Sequence, residues 1–134
     1  MKMVASFLPQ LERLSAGVNR ELLSPEPSDS EREILSWPGV DRQKLVVYFY
    51  LGSLHGEESA NAVGKMLLLD FQAYVAARYS YGGDGRNHRV SLFIDEAHHM
   101  VSKPFINILA EGRGADNAVL LSTQTTAQFE QAFG

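Results

Sequence analysis

Two carboxylates, Asp95 and Glu96, close the apolar run of "SLFIDEAHHM", residues 91–100. An aspartate ending a buried strand can hold a magnesium ion, usually through water, because magnesium keeps most of its own waters. The glutamate beside it is placed to orient and polarise an attacking water. Gln124 follows a second apolar run, "NAVLLST". Its neutral amide can meet a γ-phosphate and the same water without adding charge. Arg113, in "AEGRGADN", offers a cation for transition-state charge. In phosphoryl transfer the protein mainly positions groups and stabilises charge, and these four residues suit the water-activating corner of a nucleoside triphosphatase. Each signal is weak alone. Acidic residues are common just past strand ends in α/β proteins, and an arginine near a helix end is by default a surface residue.

His98 and His99 follow the two acids directly, and with Asp95 and Glu96 they suggest a zinc site. Adjacent histidines at a strand-to-helix turn are expected to point in different directions, and no third clear ligand follows. The expectation for both is a solvated or core-packing role.

A triphosphatase corner also needs a loop that cradles phosphates, with G-x-x-x-x-G-K-[ST] between a strand and a helix. The only Gly-Lys is Gly64-Lys65 in "ANAVGKMLL". In that frame Ser59 stands where the first glycine belongs, and Met66 where the metal-binding hydroxyl belongs. The pair also lies inside a helical pattern rather than before one. The sequence therefore contains no phosphate loop of this kind.

The elements that would position these residues are legible in the hydrophobic pattern. "KLVVYFYL" is almost continuously β-branched and aromatic, which predicts a strand over about 44–51 buried on both faces, as in a parallel sheet. A helix is expected over about 60–79, capped by Ser59, with Val63, Leu67, Phe71 and Val75 on one face. Strands are expected over about 90–95 and 117–123. A helix opened by Pro104 lies between them, and another begins in "TTAQFEQAFG". Alternating strand and helix argues for a parallel sheet with right-handed crossovers. Ligands of such sheets sit at the carboxyl ends of the strands, so Asp95-Glu96 and Thr123-Gln124 should meet at one edge. Before this core, Val4, Phe7, Leu8, Leu11 and Leu14 mark an amphipathic helix with Pro9 inside it. From about Asn19 a loop-rich connector follows, with one helical turn near residues 31–37.

Bulk composition narrows the class. The 134 residues make one ordinary domain with a modest core. A net charge of −4 gives no global basic excess to advertise nucleic acid, although a local patch remains compatible with it. With no cysteine there is neither a disulfide framework nor a thiolate metal site. No apolar run approaches the roughly 20 residues of a membrane span. The N-terminus reads as a helix rather than a signal peptide.

Residues 21–134 together resemble the back half of the motor domain of conjugative coupling proteins. These are the TraD-type hexameric DNA-pumping ATPases of type IV secretion, related to the FtsK and HerA translocases. "LFIDEAHHM" is similar to the family's Walker B strand. "ILAEGRGADNAVLLSTQTTAQFEQAFG" is similar to its next stretch, where a helix ends in Glu-(Gly or Ala)-Arg and a strand runs up to a glutamine. "VVYFYLGSL" with "ANAVGKMLLLDFQAYVAARY" is similar to the strand and long helix before Walker B, and "LLSPEPSDSEREILSWPGV" to the connector of the integrative-element branch.

The resemblance implies a partial RecA-like three-layer α/β core over residues 41–134. Residues 1–40 would be the tail of an inserted all-helical domain. Asp95 would be the Walker B aspartate, Glu96 the catalytic glutamate, Gln124 the sensor glutamine and Arg113 an arginine finger. The parent protein would use ATP and Mg2+. It would act as a homo-hexamer on single- or double-stranded DNA, with a relaxase and the secretion-channel proteins as partners. Its site would be the bacterial cytoplasm, with an inner-membrane anchor in a segment absent here. In this family the phosphate loop lies upstream of the helical insert, so the fragment is expected to bind no nucleotide tightly and to be inactive alone. Its sensor strand would be left as an apolar edge, which invites self-association.

Two other readings compete. One is a stand-alone, non-catalytic module that docks on the secretion or relaxosome machinery. The other is a helicase fragment, since "DEAH" matches that class. The helicase order wants a Ser-Ala-Thr type motif downstream, and "STQT" with the preceding "GR" suits the coupling protein better.

Overall fold

The computed structural model describes residues 8, 9, 11–24, 26, 28, 34–52, 56–81, 89–100, 102, 105, 106, 109, 110, 114 and 116–133. Three helices come first: α1 (Gly17–Leu23), α2 (Trp37–Gln43) and α3 (Glu57–Tyr81). Strand β1 (Val90–Ile94), a 3-10 turn (Ala97–His99), strand β2 (Asn117–Leu121) and helix α4 (Thr126–Phe133) follow.

The two strands pair in parallel, from Val90 opposite Asn117 to Ile94 opposite Leu121. A parallel pair cannot be joined by a hairpin and needs a crossover. The described positions 105, 106, 109 and 110 between the strands are helical. Phe105 of this crossover is buried. The chain is thus of mixed helix and strand with a small parallel sheet, and two of the three expected strands are found near their expected limits.

The third expected strand, over 44–51, is not formed. Lys44 instead terminates α2 in a left-handed conformation (φ 55°), its N–H turned back to the carbonyls of Val40 and Asp41. Beyond it the run joins no sheet, because the described sheet contains β1 and β2 alone. The continuous apolar pattern predicted burial on both faces, yet one face is only partly covered, with Leu45 and Phe49 still 45% and 39% exposed, and the other is open. Val46, Tyr48 and Tyr50 are 98%, 83% and 75% exposed. Phe49 leans on Trp37, with ring centroids 5.9 Å apart, and Trp37 in turn meets Phe71. The run is therefore held against α2 and α3 rather than by ladder bonds. A cleft of about 1230 Å³ is lined by this run, α3 and β1.

The long helix α3 begins earlier than expected, at Glu57, after Gly56 at φ 102°. Glu57 and Glu58 in its first turn complement the helix dipole. Its buried stripe is Gly64, Leu68, Phe71 and Val75, one residue off the expected line at both Val63 and Leu67. Gly64-Lys65 lies in the middle of this helix. A Cβ at Gly64 would come 2.7 Å from Met100 Sδ and 3.1 Å from Leu51 Cδ1, so the glycine lets both side chains close on the helix.

The core consists of Leu68, Phe71, Val75, Ile94, Ala97 and Phe105, with Val90, Leu92, Val119 and Leu121 packed against it. One face of the sheet is thereby covered. On the other, the register partners Phe93 and Leu120 are 71% and 62% exposed. Below the core, the nearly buried Arg78 pairs with Asp41 at 2.9 Å. The Tyr74 hydroxyl donates to the same carboxylate oxygen. Burial raises the Tyr74 pKa above its ordinary value, and the hydrogen bond to Asp41 adds to the rise.

At the N-terminal side, residues 8, 9 and 11–14 are helical, while the rest of the expected amphipathic helix lies outside the described residues. Helix α1 runs through Asn19, where the connector was expected to begin. Of the expected turn near 31–37, residues 31–33 lie outside the described residues, 34–36 are not helical, and α2 starts at Trp37. Ser36 caps it by accepting from Gly39 N–H at 3.3 Å, and Pro38 occupies its first turn, where a missing N–H costs nothing. Among the described residues no helix is long and apolar enough to cross a membrane.

Candidate functional site

The carboxyl ends of β1 and β2 are tied to each other. Ser122 N–H donates to Ile94 O and Ala97 N–H to Ser122 O, both at 2.9 Å. Two polar loops therefore leave the sheet side by side, as parallel pairing requires.

Asp95 faces across this gap. Its Oδ1 accepts from the Ser122 hydroxyl and, at 3.1 Å, from Glu96 N–H. Both bonds fall on one oxygen. Among the described residues Oδ2 carries none. Glu96 is left-handed (φ 50°, ψ 43°), an uncommon state for a residue with a side chain. That conformation turns the chain sharply off β1 into the 3-10 turn, and Ala97, fully buried, anchors the turn.

Gln124 reaches over from the other loop. Its amide donates to Glu96 Oε1 at 2.6 Å. The donor fixes the orientation of the carboxylate while leaving its charge intact. The other oxygen, Oε2, stands 3.4 Å from His98 Nδ1. His98 also meets the Thr123 hydroxyl at 3.3 Å. The rings of His98 and His99 lie with centroids 4.0 Å apart. They do not diverge as the sequence suggested.

The Gln124 loop is itself held by α4. The Gln128 side-chain oxygen accepts from Thr125 N–H at 3.2 Å and from the Thr123 hydroxyl at 3.1 Å. Thr-x-x-Gln before an apolar run is half of a capping box, and this is the signal that Gln128 carries in the sequence. Ser122 had a weaker one, because the strand ends at Leu121 rather than at 123. Of the four expected site residues, Asp95, Glu96 and Gln124 come together, and Arg113 lies outside the described residues.

The group that a triphosphatase needs is only partly matched. Asp95 and Glu96 suit a hydrated magnesium ion and a polarised water, since both are carboxylates at a solvent-facing edge. The polyphosphate is not matched, for the sequence has no glycine-rich loop with its lysine. Comparison with protein-family models, with curated proteins and with solved structures finds no match.

Proposed function

We propose that this chain is the water-activating and sensor part of a DNA-translocating ATPase of the conjugative coupling type. The observation that carries the proposal is the Glu96–Gln124 hydrogen bond at the carboxyl ends of two parallel strands, with Asp95 beside it. In this reading Asp95 holds hydrated magnesium through Oδ2. Glu96, oriented by Gln124, accepts a proton from the attacking water. Arg113 is assigned to a neighbouring subunit's nucleotide. Bound ATP would supply the γ-phosphorus that the water attacks, with ADP as the leaving group, and would be held by a phosphate loop outside this chain. The bare sheet face at Phe93 and Leu120 also favours a part of something larger, because three-layer α/β cores cover both faces of the sheet. Homo-hexamer, DNA, relaxase and secretion-channel partners belong to the same proposal, as does a membrane-anchored position on the cytoplasmic side.

Two experiments test it. Calorimetric titration with Mg-ATP should show no tight binding to this chain alone. Tight binding abolished by Asp95→Ala would mean that a complete nucleotide site is built here, and the reading would be withdrawn. The second is to express the chain with the product of the adjoining upstream reading frame. A frame carrying G-x-x-x-x-G-K-[ST] should restore hydrolysis that Glu96→Gln removes. If the two together hydrolyse nothing, a stand-alone docking module becomes the better account.

A further inference from the structure

We infer that Glu96, His98 and His99 form a binding site for a divalent transition ion of the zinc class. Their candidate ligand atoms all lie within 4.8 Å of one another. Two imidazoles and a carboxylate make a donor set that suits zinc, nickel or cobalt far better than magnesium. A tetrahedral ion with bonds of about 2.0–2.1 Å has ligands roughly 3.4 Å apart. Glu96 Oε2 and His98 Nδ1 already stand 3.4 Å apart.

The surroundings suit ligation. Imidazoles that bind metal are oriented by a carboxylate, carbonyl or water on their second nitrogen. His99 Nδ1 lies 3.6 Å from Glu57 Oε1, in the first turn of α3, which places a carboxylate near the ring. The Thr123 hydroxyl meets His98 on Nδ1, the nitrogen that faces Glu96, so an ion bound there displaces that contact. His98 is largely enclosed, whereas the side chains of His99 and Glu96 are 41% and 38% exposed. One wall of the site is thus fixed and the other is open to solvent. Three protein ligands leave the fourth position to water.

The site stands on its own geometry. Its consequence for catalysis rests on the proposed role of Glu96: an ion held there takes the carboxylate away from the attacking water, so zinc would inhibit where magnesium supports.

The test uses zinc alone and no nucleotide, so its outcome is separate from that of the ATPase reading. A chromogenic chelator competes for Zn2+ with the wild-type chain, with His98→Asn/His99→Asn and with Glu96→Gln. His55→Asn/His88→Asn serves as the control for the remaining histidines. The expected result is one ion per chain with micromolar affinity. Glu96→Gln should weaken it roughly tenfold or more, in line with the loss of a ligand or of its support, and the control should not. Far-UV circular dichroism checks that each variant folds, and Glu96→Gln, close to isosteric, carries the test if the double histidine variant does not. No saturable binding up to about 1 mM, a binding free energy near −4 kcal/mol, would overturn the site. So would affinity unchanged in Glu96→Gln.

Discussion

The amide of Gln124 donates to the carboxylate of Glu96 at 2.6 Å, bridging 28 residues of sequence across the ends of two parallel strands. Neither side chain could find the other without β1 and β2 pairing in register. The contact is exposed, so its value lies in orienting a carboxylate rather than in stabilising the fold.

If the proposed motor assembles, Glu96→Gln should lower its kcat by about 10²-fold or more, as loss of a general base does, with nucleotide affinity kept. Gln124→Ala should cost less, because the base remains and only its orientation is lost. Phosphate release against ATP concentration separates the two terms. A rise in KM alone would place both residues in substrate binding.

Ser122→Ala removes the hydroxyl that donates to Asp95 Oδ1. The site is solvent-facing, so the expected loss in urea unfolding is about 1 kcal/mol or less. A loss of several kcal/mol would mean that this contact ties the two strand ends together.

Asp41 is the opposite case. Its carboxylate serves the enclosed Arg78 and Tyr74 together. Asp41→Ala removes the carboxylate that pairs with the enclosed Arg78 guanidinium, and about 3 kcal/mol of stability should go with it. Stability should also fall at alkaline pH. The folded-state pKa of Tyr74 is raised above its ordinary value of 10.0 by burial, then by Asp41. The folded state therefore holds the proton more tightly than the unfolded state. Its contribution is complete below about pH 10 and is lost as pH rises through the folded pKa. Tyr74→Phe should flatten this alkaline limb in unfolding measured from pH 8 to 11.

The bare sheet face predicts self-association. Phe93→Ser with Leu120→Ser should lower light scattering at high concentration while changing stability by only about 0.5 kcal/mol, because both side chains are mostly exposed. Phe71→Ala, at the centre of the core, should instead cost about 3–5 kcal/mol. A wild-type chain that stays monomeric under the same conditions would remove the case for a partner on this face.

Residue pattern alone carried β1, β2 and the meeting of Asp95, Glu96 and Gln124. Apolar runs end near the first polar residue, and parallel strands bring their carboxyl ends to one edge. It also disposed of Gly64-Lys65, which sits inside a helix. Three features belong to tertiary structure. The run over 44–51 has strand composition, but composition supplies no ladder partner, and packing of Phe49 on Trp37 holds it beside α2 instead. Ser122 becomes a ligand of Asp95 because the strand stops at Leu121, a boundary that periodicity cannot fix to within two residues. The His98–His99 pair closes because Glu96 adopts a left-handed conformation that its own side chain disfavours. Local bonds from Glu96 N–H to Asp95 and from Ala97 N–H to Ser122 O hold that turn. A conformation imposed by neighbours across a sheet leaves no mark on the order of residues along the chain.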